Sequence, residues 1–186
     1  MSRFFRGTLA RAVMLVACAA AAGAAEWTEA VEVRHDFKRC LAYQARLDGN
    51  LLVIQATLEK PWHTFTMDNK QRADEKLAGR QSLGIDGPTE IRLSQGLELA
   101  GPWYQSPPKD FSKPELRWFS WGFDDQALFV AKVRRSGAGP ARIEVRGQAC
   151  TETVCKQVDV EISLPLAGAG AVPSGIDLKT LVPVRQ

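Results

Sequence analysis

Apolar and polar residues alternate with period two along most of this chain, and that pattern constrains the fold more than any other feature. Successive side chains of an extended strand point to opposite faces, so alternation buries one face and solvates the other. Val31 and Val33 alternate with Glu32 and Arg34. Leu41, Tyr43, Ala45 and Leu47 share a face before Asp48-Gly49-Asn50 supplies a turn, and Leu52, Ile54, Ala56 and Leu58 follow on the next strand. Ile91 and Leu93 sit between Glu90 and Arg92, while residues 127–133 are almost wholly apolar, as in a strand buried on both faces. The cleanest pair comes late, with Ile143 and Val145 on one strand and Val158, Val160, Ile162 and Leu164 on the next. About seven short strands separated by turn signals predict an all-β fold, an immunoglobulin-like antiparallel β-sandwich.

Two segments break the alternation. Residues 69–78 (NKQRADEKLA) are good helix formers ending at Gly79, a natural residue beyond a helix C-terminus, and predict one short helical insertion. Residues 101–123 hold Trp103, Tyr104, Phe111, Trp118, Phe119, Trp121 and Phe123, with Pro107, Pro108 and Pro114 making a regular strand unfavourable across the middle. Most of these rings are expected in the core, with one or two left on a stiff loop for function. From residue 167 the composition AGAGAVPSG is that of a flexible linker, and residues 167–186 are read as a flexible tail whose last eleven residues either dock as a short strand or stay loose.

The N-terminal stretch stands apart from this core. Arg3, Arg6 and Arg11 precede an apolar run over residues 12–22 that ends in small residues, the three-part pattern of a secretory signal peptide over residues 1–24. The sandwich is assigned to residues 25–166 and the protein is read as exported. Leu15-Val16-Ala17-Cys18 also reads as a lipobox, which would make Cys18 a lipid anchor; ordinary cleavage after Ala24 or Ala25 is favoured because it leaves a longer apolar run. Of the 24 Lys and Arg, three lie in this leader, which leaves 21 basic against 21 acidic residues. With no net positive charge, nucleic acid is not an expected partner.

Beyond the leader, three cysteines remain: Cys40, Cys150 and Cys155. An odd count in an exported chain implies one pair and one leftover thiol. Cys150 and Cys155 flank Thr-Glu-Thr-Val between the two cleanest strands, at the mouth of a hairpin, near enough to bridge if their Cβ vectors agree. A loop of about six residues stabilises by roughly 2 kcal/mol, against roughly 4.7 for about 100 residues. Such a bridge adds little to a domain with its own core, and short exposed bridges tend to be reducible. On these grounds a structural staple and a working redox pair stand about even. His63 and His35 share no metal-ligand spacing with the cysteines, although a cysteine with His63 and Met67 would suit soft copper(I). No cofactor or metal is otherwise expected, and no phosphate loop, nucleophile elbow or paired-carboxylate pattern is present.

Leu51 to Leu58, the KPWHTFT segment (Lys60 to Thr66), the proline/aromatic loop and GQACTETVCKQVDVEISLPL together resemble the N-terminal periplasmic domain of the thiol:disulfide interchange protein DsbD. The similarity spans residues 31–166. It implies an immunoglobulin-like domain whose cysteine pair carries two electrons to periplasmic thioredoxin-fold proteins, such as disulfide isomerases and cytochrome c maturation factors. By position, Cys155 would attack the partner's disulfide and Cys150 would resolve the mixed disulfide. Phe111, Trp118 and Trp121 would belong to a cap loop over the pair, with His63 and Phe65 as its aromatic neighbours. Lys156 beside Cys155 favours a thiolate and Glu152 opposes it.

The resemblance has three departures. No polytopic membrane domain or thioredoxin-like domain accompanies the sandwich here, so the expectation is that a separate membrane electron donor supplies it or that the module is used differently. Lys156-Gln157 stands where the family often has proline or an aromatic residue, and Cys40 has no counterpart, a bridge from it to Cys150 being the arrangement that would overturn the scheme. The expectation is therefore a protein-disulfide reductase component. The rivals are a non-catalytic exported binding domain with a structural disulfide, and a copper-handling protein.

Overall fold

The computed structural model describes residues 26–84, 86–166 and 175–185. The expected leader with Cys18 and nearly all of the linker lie outside the described residues. Among the described residues, twelve strands follow in chain order: β1 (Val31–His35), β2 (Lys38–Asp48), β3 (Leu51–Leu58), β4 (His63–Phe65), β5 (Glu90–Gln95), β6 (Leu97–Gln105), β7 (Lys109–Asp110), β8 (Trp121–Phe123), β9 (Gln126–Arg135), β10 (Ala141–Cys150), β11 (Cys155–Leu164) and β12 (Val182–Pro183). Helix α1 (Asn69–Leu77) lies between β4 and β5, where the composition predicts it. It ends at Ala78 in the left-handed region, with φ 49°, one residue before Gly79.

The strands form two antiparallel sheets, in the orders β1-β2-β3-β9-β6-β12 and β11-β10-β4-β8-β7. The second edge of β10 is shared, with β5 alongside Arg142–Arg146 and β4 alongside Ala149 and Cys150. This is the expected immunoglobulin-like sandwich. The periodic residues meet between the sheets: Leu41, Tyr43, Ala45, Leu52, Ile54, Phe129, Ile143, Val145 and Ile162 are all buried in one core. Each such large side chain contributes on the order of 1.5–3 kcal/mol by leaving water. The central strand β9 lies between β3 and β6, and Ala127, Phe129, Val130, Ala131 and Val133 along its apolar run are all buried.

Two parts of the proline/aromatic segment are more regular than the sequence indicates. Residues 101–105 complete β6, whose ladder with β9 is interrupted between Leu99 and Trp103, so Pro102 falls in the irregularity rather than in a continuous ladder. Trp121–Phe123 forms β8, while residues 111–120 stay irregular around a 3₁₀ turn at Pro114–Leu116. Trp103 and Phe123 join the core. For the last residues, the docked alternative is what the structure shows: Val182 and Pro183 pair with Gln105 and Tyr104 of β6.

The β1–β2 hairpin turns on Asp36 and Phe37, with φ of 47° and 62°. Two-residue hairpin turns demand this left-handed backbone, and glycine or asparagine supplies it with least strain. Phe37 is 95% exposed, so packing does not offset the roughly 1–2 kcal/mol that the conformation costs an L-residue. Phe37→Gly is therefore expected to stabilise the protein by about 0.5–1 kcal/mol, part of the relief being lost to glycine's larger unfolded-chain entropy. A rise in the urea midpoint at unchanged slope is the result to look for.

Candidate functional site

The hairpin formed by β10 and β11 ends at one residue pair, Cys150 opposite Cys155, and the two are joined by a disulfide with a Cα–Cα distance of 4.0 Å. The intervening turn is held by Thr151. Its N–H donates to the Val154 carbonyl at 2.8 Å, and its Oγ1 accepts from the N–H groups of Thr153 and Val154. Burial divides the pair unequally: Cys150 is 2% exposed, whereas Cys155 is open to solvent. Cys40 forms no bridge. It is a buried free thiol that donates to the Val33 carbonyl at 3.0 Å, and burial pushes its pKa up, so it stays protonated and inert.

The strand next to Cys150 sets the rest of the site. β4 pairs His63 with Cys150 and Thr64 with Ala149, and Thr64 Oγ1 donates to the Gln148 carbonyl at 2.9 Å. β8 closes on the other side of β4 at Gly122, where an added Cβ would lie only 2.1 Å from the Thr64 carbonyl oxygen. Glycine is thus required for the backbone approach that fixes β4, and β4 fixes His63 beside the disulfide.

His63 stands between two rings. It stacks on Phe111 with centroids 4.8 Å apart and meets Phe65 edge-on at 5.3 Å. Burial lowers the imidazole pKa against the opposing pull of Asp86 and Asp124, so His63 is neutral at neutral pH. It supplies shape beside the sulfurs rather than positive charge.

Residues 111–118 form a flap that lines the same cleft as the pair. Lys113 and Trp118 exchange two backbone hydrogen bonds across the 3₁₀ turn, of 2.7 and 3.1 Å. The Trp118 indole N–H donates to Asp86 Oδ2 at 2.7 Å, and its ring lies against Gly84. The flap, the Trp62–His63 segment and the hairpin turn enclose a cleft of about 940 Å³, with both cysteines, Phe111, Trp118 and Asp86 in its wall. A carboxylate oxygen of Asp86 and both sulfurs lie within 4.8 Å of one another.

Of the residues singled out in the sequence, the structure brings together Cys150, Cys155, His63, Phe111 and Trp118. Phe65 is buried behind His63 and reaches the cleft only through that ring. Trp121 does not line the cleft; it sits in β8, where its N–H donates to Asn69 Oδ1 at 2.8 Å. Met67 packs against the core and does not line the cleft. Asp86 lies in an irregular segment with no sequence pattern of its own, and only the fold brings it to the cysteines.

Chemically, the arrangement presents one disulfide sulfur to an incoming thiolate and keeps the other against the sheet. An incoming thiolate can reach the exposed Cys155 and expel the Cys150 thiolate. Among the described residues, no helix is long and apolar enough to cross a membrane.

No protein-family model matches the chain, and no curated protein matches it. Among solved structures, the chain is similar to the N-terminal domain of DsbD from Neisseria meningitidis in its reduced form, with a TM-score of 0.47 and 11% identity over 68% of this chain and 85% of that one. At that level of similarity, any assignment of chemistry rests on the cleft itself.

Proposed function

We propose that this protein is a periplasmic thiol–disulfide exchange module that passes two electrons to thioredoxin-fold partners through Cys150 and Cys155. The observation that carries the proposal is the asymmetric burial of the pair in the wall of an aromatic cleft, with Cys155 accessible and Cys150 sealed. A bridge serving only as a staple gains nothing from a dedicated cleft, and a loop this short stabilises by only roughly 2 kcal/mol.

In the reduced form, the Cys155 thiolate attacks the partner's disulfide, forming a mixed disulfide and releasing one partner thiolate. The Cys150 sulfur then attacks Cys155 Sγ, closing the Cys150–Cys155 bond and releasing the second partner thiolate. Two electrons leave the module, and the protons of its two thiols pass to solvent or to the partner. Asp86, close to both sulfurs, is the nearest carboxylate able to take the Cys150 proton as that sulfur attacks. Phe111 and Trp118 belong to a cap loop beside the pair, which shifts as a partner docks on the exposed Cys155. A separate membrane-bound dithiol restores the reduced form, and disulfide isomerases and cytochrome c maturation factors are the acceptor classes. Export by the N-terminal leader, with or without lipid attachment at Cys18, places the module with them.

The test is the reduction potential of the pair, obtained by equilibrating the protein with glutathione or dithiothreitol buffers and counting free thiols. A value above about −300 mV is expected for an exchangeable pair. A bond that survives well below that potential is a staple, and the proposal fails.

A further inference from the structure

Donors of two kinds converge beside the hairpin turn. The two sulfurs and an Asp86 carboxylate oxygen already lie within 4.8 Å of one another while the sulfurs are still bonded at 2.03 Å. Reduction separates the sulfurs and frees two thiolate ligands. In a tetrahedral zinc site with Zn–S near 2.3 Å and Zn–O near 2.1 Å, neighbouring ligand atoms lie roughly 3.4–3.8 Å apart. The reduced pair can reach that spacing by rotation of the exposed Cys155 side chain while Cys150 stays buried against the sheet. The carboxylate is oriented by the Trp118 indole N–H, which donates to Asp86 Oδ2 at 2.7 Å. Ligating carboxylates are commonly oriented by such an outer hydrogen bond.

We propose that reduced Cys150 and Cys155 together with Asp86 form a three-ligand site for a thiophilic divalent cation of the zinc class, with its fourth position open to the cleft. The donor set decides the class: two thiolates disfavour magnesium and calcium, and a carboxylate oxygen suits zinc or cadmium better than copper(I). Binding converts two thiols and one divalent cation into a bis-thiolate complex and releases two protons, with no change of oxidation state. The cation occupies the sulfurs that exchange would use, so it holds the reduced module in a masked state. The site depends on the exchange proposal only in requiring that the disulfide can be reduced.

The experiment reduces the purified protein with a phosphine, removes the reductant, counts thiols and titrates with cadmium, following thiolate-to-metal charge-transfer absorption. Zinc affinity is then measured by competition with a chromophoric chelator. One ion per chain and two protons released per ion are expected. Asp86→Asn, with an unchanged thiol count, is expected to weaken zinc binding by about tenfold or more, at least the loss that outer-sphere partners alone produce. Cys155→Ser is expected to abolish binding. Equal zinc affinity in wild type and Asp86→Asn would overturn the three-ligand site, as would one ion shared by two chains. If the exposed thiols appear on reduction and no metal binds, only this inference falls. If they do not appear, the exchange proposal falls with it.

Discussion

Cys155→Ser is expected to lower the rate of disulfide exchange with a thioredoxin-fold protein by roughly three orders of magnitude or more, the scale on which loss of a nucleophile acts. Cys150→Ser is expected to behave differently, accumulating a mixed disulfide between Cys155 and the partner. The difference follows from burial, because Cys155 is solvent-exposed at the cleft and Cys150 is sealed within the β10–β4 pairing. A partner disulfide can approach the first sulfur but not the second. With Cys150 present, the mixed disulfide is resolved from within; with serine there, resolution stops. Stability cannot mimic this result. Both variants lose the same bridge, worth roughly 2 kcal/mol, so its loss alone cannot separate them. The partner itself can serve as probe, with non-reducing electrophoresis and intact mass reading the covalent adduct. Capture by both variants alike would mean that accessibility does not order the two cysteines. Capture by neither would return the bridge to a structural role.

What the sequence shows of this site depends on how local the signal is. The β10–β11 hairpin is legible because alternation runs through Ile143 and Val145 and again from Val158 to Leu164, and the register pairs the two strands residue by residue from Ala141 opposite Leu164 to Cys150 opposite Cys155. β4, β7, β8 and β12 have only two or three residues each, too few for a period to show. β6 was hidden by Gly101 and Pro102, which read as a loop until an irregularity in the ladder accommodates them. Trp118 and Trp121 look equivalent on paper. Their fates differ because the chain leaves the 3₁₀ turn with Arg117 at φ 51°, after which Trp118 closes the flap over the cleft and Trp121 enters a strand. Asp86 left no local trace, since its role comes from the packing of its segment against Trp118 and the cysteine hairpin.

Asp68→Ala is expected to destabilise the protein by about 3–5 kcal/mol, the range found when one member of a buried charged pair is removed. Asp68 Oδ1 accepts from Arg72 Nε and from Gln105 Nε2, both at 2.8 Å, and Oδ2 accepts from the Arg185 N–H at 3.1 Å. Gln105 in turn accepts from the Met67 N–H at 3.0 Å. The start of α1, the end of β6 and the C-terminal segment therefore meet at one carboxylate. Truncation leaves a fully buried Gln105 amide without its acceptor and a largely buried Arg72 without its counter-charge. Burial by itself would raise the Asp68 pKa, but Arg72, the Arg185 N–H and Gln105 outweigh it and hold the carboxyl below its usual range. Its folded pKa thus lies below its unfolded value. The stability it contributes is fully present above the unfolded pKa near 4 and is lost as pH falls through the folded value. Urea unfolding at neutral pH and again in acid should show the wild type and Asp68→Ala far apart in the first case and closer in the second. A gap that does not narrow with acid would mean that the carboxylate acts there through packing and hydrogen-bond geometry, and that its charge contributes nothing to the fold.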